Sequence, residues 1–248
     1  MLASDTMNKH PYSPLLPFII TILVYQLFLA LLVAFYGYEG SFLLLNANHR
    51  TWLDAPMFLL THLGDALILT SILGLLFIRK QPGMVILLIL VVIITGLAGQ
   101  LLKNTLFDSW DRPLRAIGEG GEVHTVFGYM LFQNSFPSGH SITVAAAITS
   151  LAMILRPGKL IMVLLALLVA IISYTRIYVG AHFAADVLAG TILGVAASLF
   201  LTAWLYPLIN RWVGTFSPAK LIRLKTGLFL MAALGLIGGT VMIIEFLT

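Results

Sequence analysis

Several residues in the second half of this chain have side chains suited to handling a phosphoryl group: Lys103, Arg112, Ser138, Gly139, His140, Arg176, His182 and Asp186. His182 and Asp186 are four apart, so on a helix they share one face. A carboxylate so placed holds one imidazole nitrogen, fixes the tautomer and leaves the other nitrogen free to attack. His140 is available to protonate a leaving oxygen. Lys103, Arg112 and Arg176 supply positive charge, and guanidinium forks suit phosphate oxygens. In "FPSGHSITV", Ser138 is a favoured N-cap, and Gly139 lets backbone N–H groups approach an anion at the positive end of a helix dipole. Displacement at phosphorus needs in-line positioning and charge stabilisation, and the set offers a nucleophile, its orienter, an acid and cations. It holds no carboxylate cluster for a metal pair, so metal-independent chemistry without a cofactor is expected.

Positioning such groups falls to membrane helices. The 248 residues are 60% hydrophobic and only 10% charged, against about 25% charged in a soluble domain. So much apolar surface belongs in a bilayer. The pI near 9.4 does not imply a nucleic-acid partner, because the basic residues are spread thinly between apolar runs. With no cysteine, disulfides, thiolate metal sites and a cysteine nucleophile are excluded.

Spans of ~20 apolar residues, enough for ~30 Å of hydrocarbon, are expected over Leu15–Tyr36, Leu63–Ile78, Gly83–Leu102, Ser138–Leu155, Lys159–Tyr178 and His182–Tyr206. Thr226–Leu247 reads as a further one, and the half-polar "NANHRTWLDAPMFLLTHLGDA" as interfacial. The expected architecture is an all-α polytopic membrane bundle. It has a six-helix core over about 15–206 and a seventh C-terminal span over about 226–247, forming a single integral-membrane domain across 1–248. The first segment is too long for a signal-peptide core and lacks a small-residue cleavage site, so it is expected to stay.

A cytoplasmic N-terminus places Lys9, Arg79, Lys80, Arg156, Lys159, Arg211, Lys220, Arg223 and Lys225 on the cytoplasmic side. Arg50, Lys103, Arg112, Arg115 and Arg176 fall on the other side, and the larger inside set favours that orientation. The phosphate-suited residues then all reach the outer surface, at the ends of four spans and in one loop. Ionisable groups near membrane helices face a cavity or each other, which makes them functional candidates.

At these residues the chain resembles the type 2 phosphatidic acid phosphatase superfamily of membrane lipid phosphatases. The likeness is carried by "KNTLFDSWDRP" (Lys103 to Pro113), "PSGH" (Pro137 to His140) and "TRIYVGAHFAAD" (Thr175 to Asp186), the last with the family spacing R-x5-H-x3-D. The resemblance implies His182 as a nucleophile forming a phosphohistidine, Asp186 as its partner and His140 as the general acid. It also implies that Lys103, Arg112, Ser138, Gly139 and Arg176 hold the phosphate. Two departures stand out. The family usually has six residues between Lys and Arg of the first motif, whereas Asn104 to Asp111 makes eight, so Arg112 is expected to arrive by a different path. Thr175 stands where the family usually has Ser, and the hydroxyl is retained.

The remaining polar residues have plainer readings. His62 is expected to serve interfacial packing, Asp65 a cap or tether, and His49 with Arg50 lipid headgroups. The loop from Leu114 to Phe136, with His124, Glu119 and Glu122, reads as a solvated connector rather than a lid. Gly96, Gly99, Gly190 and Gly194 permit close helix packing. The expected activity is removal of phosphate from a lipid in the bilayer. In a bacterial cell the site would lie on the periplasmic side of the inner membrane. Candidate substrates are undecaprenyl diphosphate, phosphatidylglycerophosphate, phosphatidic acid and lipid A. The alternatives are a lipid-to-lipid phosphotransferase using the same site and a non-catalytic lipid binder or transporter. Soluble vanadium haloperoxidases, which share the fold, are set aside because of the spans.

Overall fold

A computed structural model describes residues 14–118 and 123–247. Asp5, Lys9, Glu119 and Glu122 lie outside the described residues. The regular structure described is helical throughout: α1 (Leu16–Asn46), α2 (Thr51–His62), α3 (Ala66–Phe77), α4 (Pro82–Thr105), α5 (Pro113–Ile117), α6 (Gly139–Leu155), α7 (Lys159–Tyr178), α8 (Ala184–Gly214) and α9 (Pro218–Leu247). Helices α1, α4, α7, α8 and α9 are each long and apolar enough to cross a bilayer. Helices α2 and α3 together are long and apolar enough for a further span but are bent by 73° at the break between them, and α6 is a shorter apolar helix. Every expected apolar segment is therefore a helix, and the differences are at the ends. The first runs on to Asn46 and the sixth to Gly214. The sixth also starts two residues late, at Ala184, which leaves His182 in the turn before it.

Local chemistry explains the breaks. The continuation of α1 passes a kink at Gly37, whose φ of 73° suits a residue without Cβ. Asp65 caps α3 by accepting hydrogen bonds from Leu67 N–H at 2.8 Å and Ile68 N–H at 3.2 Å. Pro82 opens α4, where a missing N–H costs nothing.

Helix α6 lies at the centre, buried along its whole face from Ser141 to Ala152 and packed by α4, α7 and α8. Lipid tails are as apolar as the side chains, so association inside a bilayer depends on close packing and hydrogen bonds. Both are present between α6 and α8. A Cβ on Gly190 would come within 2.6 Å of the Ser138 carbonyl oxygen, and one on Gly194 within 2.6 Å of that of Ile142. Farther along, Thr202 Oγ1 donates to Ser150 Oγ at 2.8 Å. Helix α1 packs on α7 and α8, and α9 lies along α3. The outward faces carry exposed apolar side chains such as Leu97, Leu160 and Leu234.

Helix direction sorts the charges. The end of α4, the start of α6, the end of α7 and the start of α8 meet at one end of the bundle. Arg79, Lys80, Arg156, Lys159 and Arg211 lie at the other, where Lys225 Nζ donates to the Arg79 carbonyl oxygen at 2.8 Å.

A side chain at Gly194 has no room beside α6. Gly194→Val is expected to destabilise the protein by about 1–3 kcal/mol and to lower its thermal unfolding midpoint in detergent. Gly96→Ala, at a position with no atom within 4 Å of the added Cβ, should leave the midpoint unchanged. Equal midpoints for both variants would count against this packing.

Candidate active site

Asp186 organises the meeting point of these helices. It stands in the first turn of α8, fully buried, and its carboxylate has an ample set of donors. Oδ1 accepts from the Tyr38 hydroxyl; Oδ2 accepts from the Ser135 hydroxyl, from Phe183 N–H at 3.0 Å and from His182 Nδ1 at 3.3 Å. The Phe183 contact is the returning half of a capping box, in which an acidic side chain reaches back to the N-cap amide. A buried carboxylate so engaged is held in one rotamer.

His182 is buried in the turn between α7 and α8. The pair therefore meets because Asp186 reaches back past the helix start, and not because both lie on one helical face. The Arg112 Nη1, which can only donate, lies 3.3 Å from His182 Nε2. The network thus assigns the hydrogen to Nδ1, facing Asp186, and the lone pair to Nε2. Burial first, then the charges of Arg112, Lys103 and Arg176, hold the His182 imidazole well below its usual pKa. The ring is neutral at pH 7, with its free electron pair turned toward the cations.

Those cations are held by backbone carbonyls. The Lys103 ammonium, in the last turn of α4, donates to the Asn134 carbonyl at 2.9 Å. Arg112 donates from Nε to the Gln133 carbonyl at 2.7 Å and from Nη1 to that of Ala181 at 3.1 Å, while its own N–H binds the Phe132 carbonyl at 2.9 Å. The longer spacing from Lys103 is absorbed in the loop, and Arg112 still arrives beside His182. Burial and the neighbouring Arg176 charge pull its pKa down to about 10, which leaves it charged at neutral pH. Arg176 is 1% exposed and donates to the Thr61 hydroxyl at 2.7 Å and the Tyr129 hydroxyl at 3.0 Å. Its Nε is buried with no hydrogen-bond partner among the described residues. Among the described residues, no carboxylate lies in salt-bridge contact with Lys103, Arg112 or Arg176.

Ser138 caps α6, accepting from Ser141 N–H, and its own N–H binds the Asp186 carbonyl at 3.1 Å. The two helix starts are thereby joined. Gly139, His140 and Lys103 line one cavity of about 240 Å³. His140 faces Gly64, where a Cβ would come within 3.0 Å of its own. All the residues singled out from sequence thus gather at this end. The arrangement suits an anion with several acceptor oxygens, set between buried cations and facing a neutral imidazole nitrogen. Among the described residues, no group of three or more His, Asp or Glu side chains is placed to hold a metal ion.

The contributions of Tyr38, Thr61, Tyr129 and Ser135 were not anticipated. None belongs to the quoted motifs, and their only sequence signal is a hydroxyl in an apolar setting. The loop expected to be a solvated connector is corrected too. Val126, Tyr129 and Ser135 are buried, and residues 129–135 provide the hydroxyl groups and carbonyls that hold Arg176, Arg112, Lys103 and Asp186. His124 is tied down by Asp54 at 3.0 Å and stacked on His49 at 3.9 Å, so His49 serves this loop. Asp65 is a cap, and His62 packs against the rings of Phe58 and Tyr129.

Residues 84–210 match the PAP2 superfamily. Over 186 residues the chain is 27% identical to the lipid A 4'-phosphatase of Porphyromonas gingivalis, covering 73% of this chain and 78% of that protein. It is 33% identical over 167 residues to the lipid A 1-phosphatase of Rhizobium etli, covering 60% and 69%. The crystal structure of Aquifex aeolicus LpxE superposes with a TM-score of 0.57 at 28% identity, over 67% of this chain and 95% of that one. The matched stretch contains every charged residue of the cluster described above, and the chain belongs to the PAP2 superfamily, beside relatives that are lipid phosphatases.

Proposed function

We propose that this multi-pass membrane protein is a lipid phosphatase working through a phosphohistidine on His182. The observation that carries the reading is the His182 ring. Its Nδ1 is held by Asp186, and its Nε2 lies 3.3 Å from Arg112, among cations that form no ion pair with a carboxylate among the described residues. Buried cations of this kind are stabilised by a ligand anion, and a phosphoryl group offers three oxygens for them and for the N-terminus of α6. In the first step Nε2 attacks phosphorus, the bond from phosphorus to the lipid oxygen breaks, and His140 gives that oxygen its proton. In the second, His140 takes a proton from water, the hydroxide attacks phosphorus, and the N–P bond breaks to release phosphate. No metal ion takes part.

The substrate class is a lipid phosphate monoester or diphosphate: undecaprenyl diphosphate, phosphatidylglycerophosphate, phosphatidic acid or lipid A. The whole chain acts as one integral-membrane domain, its N-terminus cytoplasmic and its site at the periplasmic face of the inner membrane. The basic residues gathered at the opposite end support that orientation.

Purified protein in detergent should release phosphate from lipids of this class with EDTA present. His182→Ala should remove both the release and any acid-labile label left by a ³²P-lipid; full activity in that variant, or its loss on chelation, contradicts the mechanism. Tyr38→Phe and Ser135→Ala each take a donor from a carboxylate. A hydrogen bond to a charged group contributes about 1.5–3 kcal/mol, so kcat/KM should fall roughly tenfold or more in each. The Arg112 charge helps keep His182 neutral. Removing it in Arg112→Gln raises the imidazole pKa, so the acid limb of the pH profile of kcat/KM should move to higher pH. A limb that stays put or moves down counts against His182 as the titrating nucleophile.

A further inference from the structure

A cavity beside His140 lies along α3 and α4, next to the cation cluster. Near the cluster it is bounded by Gly64, Asp65, Gly96, Gly99, Lys103 and His140. Ala66 belongs to its wall and also to that of a second cavity of about 290 Å³, which lies farther along the same two helices. The second one is walled by apolar residues, among them Val85, Ile89 and Val92 of α4 and Leu228, Met231 and Ala232 of α9. On α4 the residues bordering the two spaces recur three or four apart from Val85 to Lys103, and so form one stripe. At 1.5 Å per residue that stripe is ~27 Å long, close to the ~30 Å depth of a bilayer's hydrocarbon.

Resting on the phosphatase reading above, we infer that α3, α4 and α9 together seat the hydrocarbon tail of the substrate, with α9 as the wall that sets which tails fit. A phosphoryl group beside Lys103 and His140 has its lipid oxygen at the mouth of this path. The buried loop with Val126, Tyr129 and Ser135 stands near the same cluster. Gly96 keeps the neck open, since nothing lies within 4 Å of the place its Cβ would take. The position of α9 follows from its glycines: a Cβ on Gly235 or Gly239 would run into Ser71 or Ile68 of α3, so the helix is drawn close beside Ala66. Helix α9 lies outside the stretch matched to the family. This tail seat is therefore a property of this chain beyond the shared site.

The test compares kcat/KM for dioleoyl and dihexanoyl phosphatidate on the whole protein in detergent. Gly96→Phe fills the neck and should lower the long-to-short ratio by roughly tenfold or more, because a long tail shut out of the bundle loses the close packing that distinguishes its seat from surrounding lipid or detergent. Leu97→Phe, on the lipid-facing side of the same helix turn, should change the ratio by no more than about twofold. If Gly96→Phe does not fold, Met231→Trp on α9 reads the same ratio and should also lower it. An unchanged ratio in a folded variant overturns the proposal. A readout that needs no turnover is photolabelling with a phosphatidate carrying a diazirine near its tail end. Label on α3, α4 and α9 supports the seat, and label confined to α1 or α7 overturns it. Label on α9 without phosphate release from any lipid would leave the seat standing and remove the phosphatase reading instead.

Discussion

Lys103, Arg112 and Arg176 stand largely out of water at one end of a helical bundle, with Asp186 as the nearby carboxylate. Asp186 is not spent on them: it is occupied by two hydroxyls, a backbone amide and His182. Burying a charge is costly unless partners are supplied, and carbonyl and hydroxyl oxygens supply only part of the compensation. The site is thus left with an excess of positive potential directed at the space before His182. That imbalance adds to burial in keeping the imidazole neutral, and it makes an anion the natural occupant. A bundle that neutralised its own cations would lose this excess of positive potential.

Holding such a cluster together requires backbone proximity that large side chains would prevent. The glycines of α8 let it lie against the start of α6, and Ser138 N–H then binds the Asp186 carbonyl. The start of α6 and the carboxylate that holds His182 are thereby tied together. Mutual exclusion of water by apolar faces gives no reason for helices to meet within lipid, so glycine packing and hydrogen bonds take over that role.

The segments outside the bundle's shared centre divide the remaining work. Residues 123–135, fastened by Asn46, Asp54 and the stacked His49–His124 pair, bring carbonyls to the cations where a helix could not, since helical carbonyls are already bonded. Helix α9 leans on α3 and, with α4, borders a separate, largely apolar cavity. In the proposed reading, charge and hydrocarbon are handled by separate parts of the chain that meet near Ala66.

The amino-acid order alone determined the helical bilayer character and the charged groups worth watching. Apolar run length reports directly on bilayer thickness, and an ionisable residue at a span's end stands out against it. The start and end of α7 were legible to the residue, as was the Ser138 cap. Other things depended on the three-dimensional arrangement. Tyr38 reaches Asp186 only after the Gly37 kink, 148 positions away in the chain. Thr61 meets Arg176 only because α2 packs against α7, 115 positions away in the chain. The loop around Tyr129 looked solvated because its composition is mixed, yet Val126, Tyr129 and Ser135 of it are buried and its carbonyls reach the cluster. Spacing along a chain encodes neighbours within a helix turn, whereas hydroxyl and carbonyl partners far apart in sequence are chosen by packing, which no local pattern records.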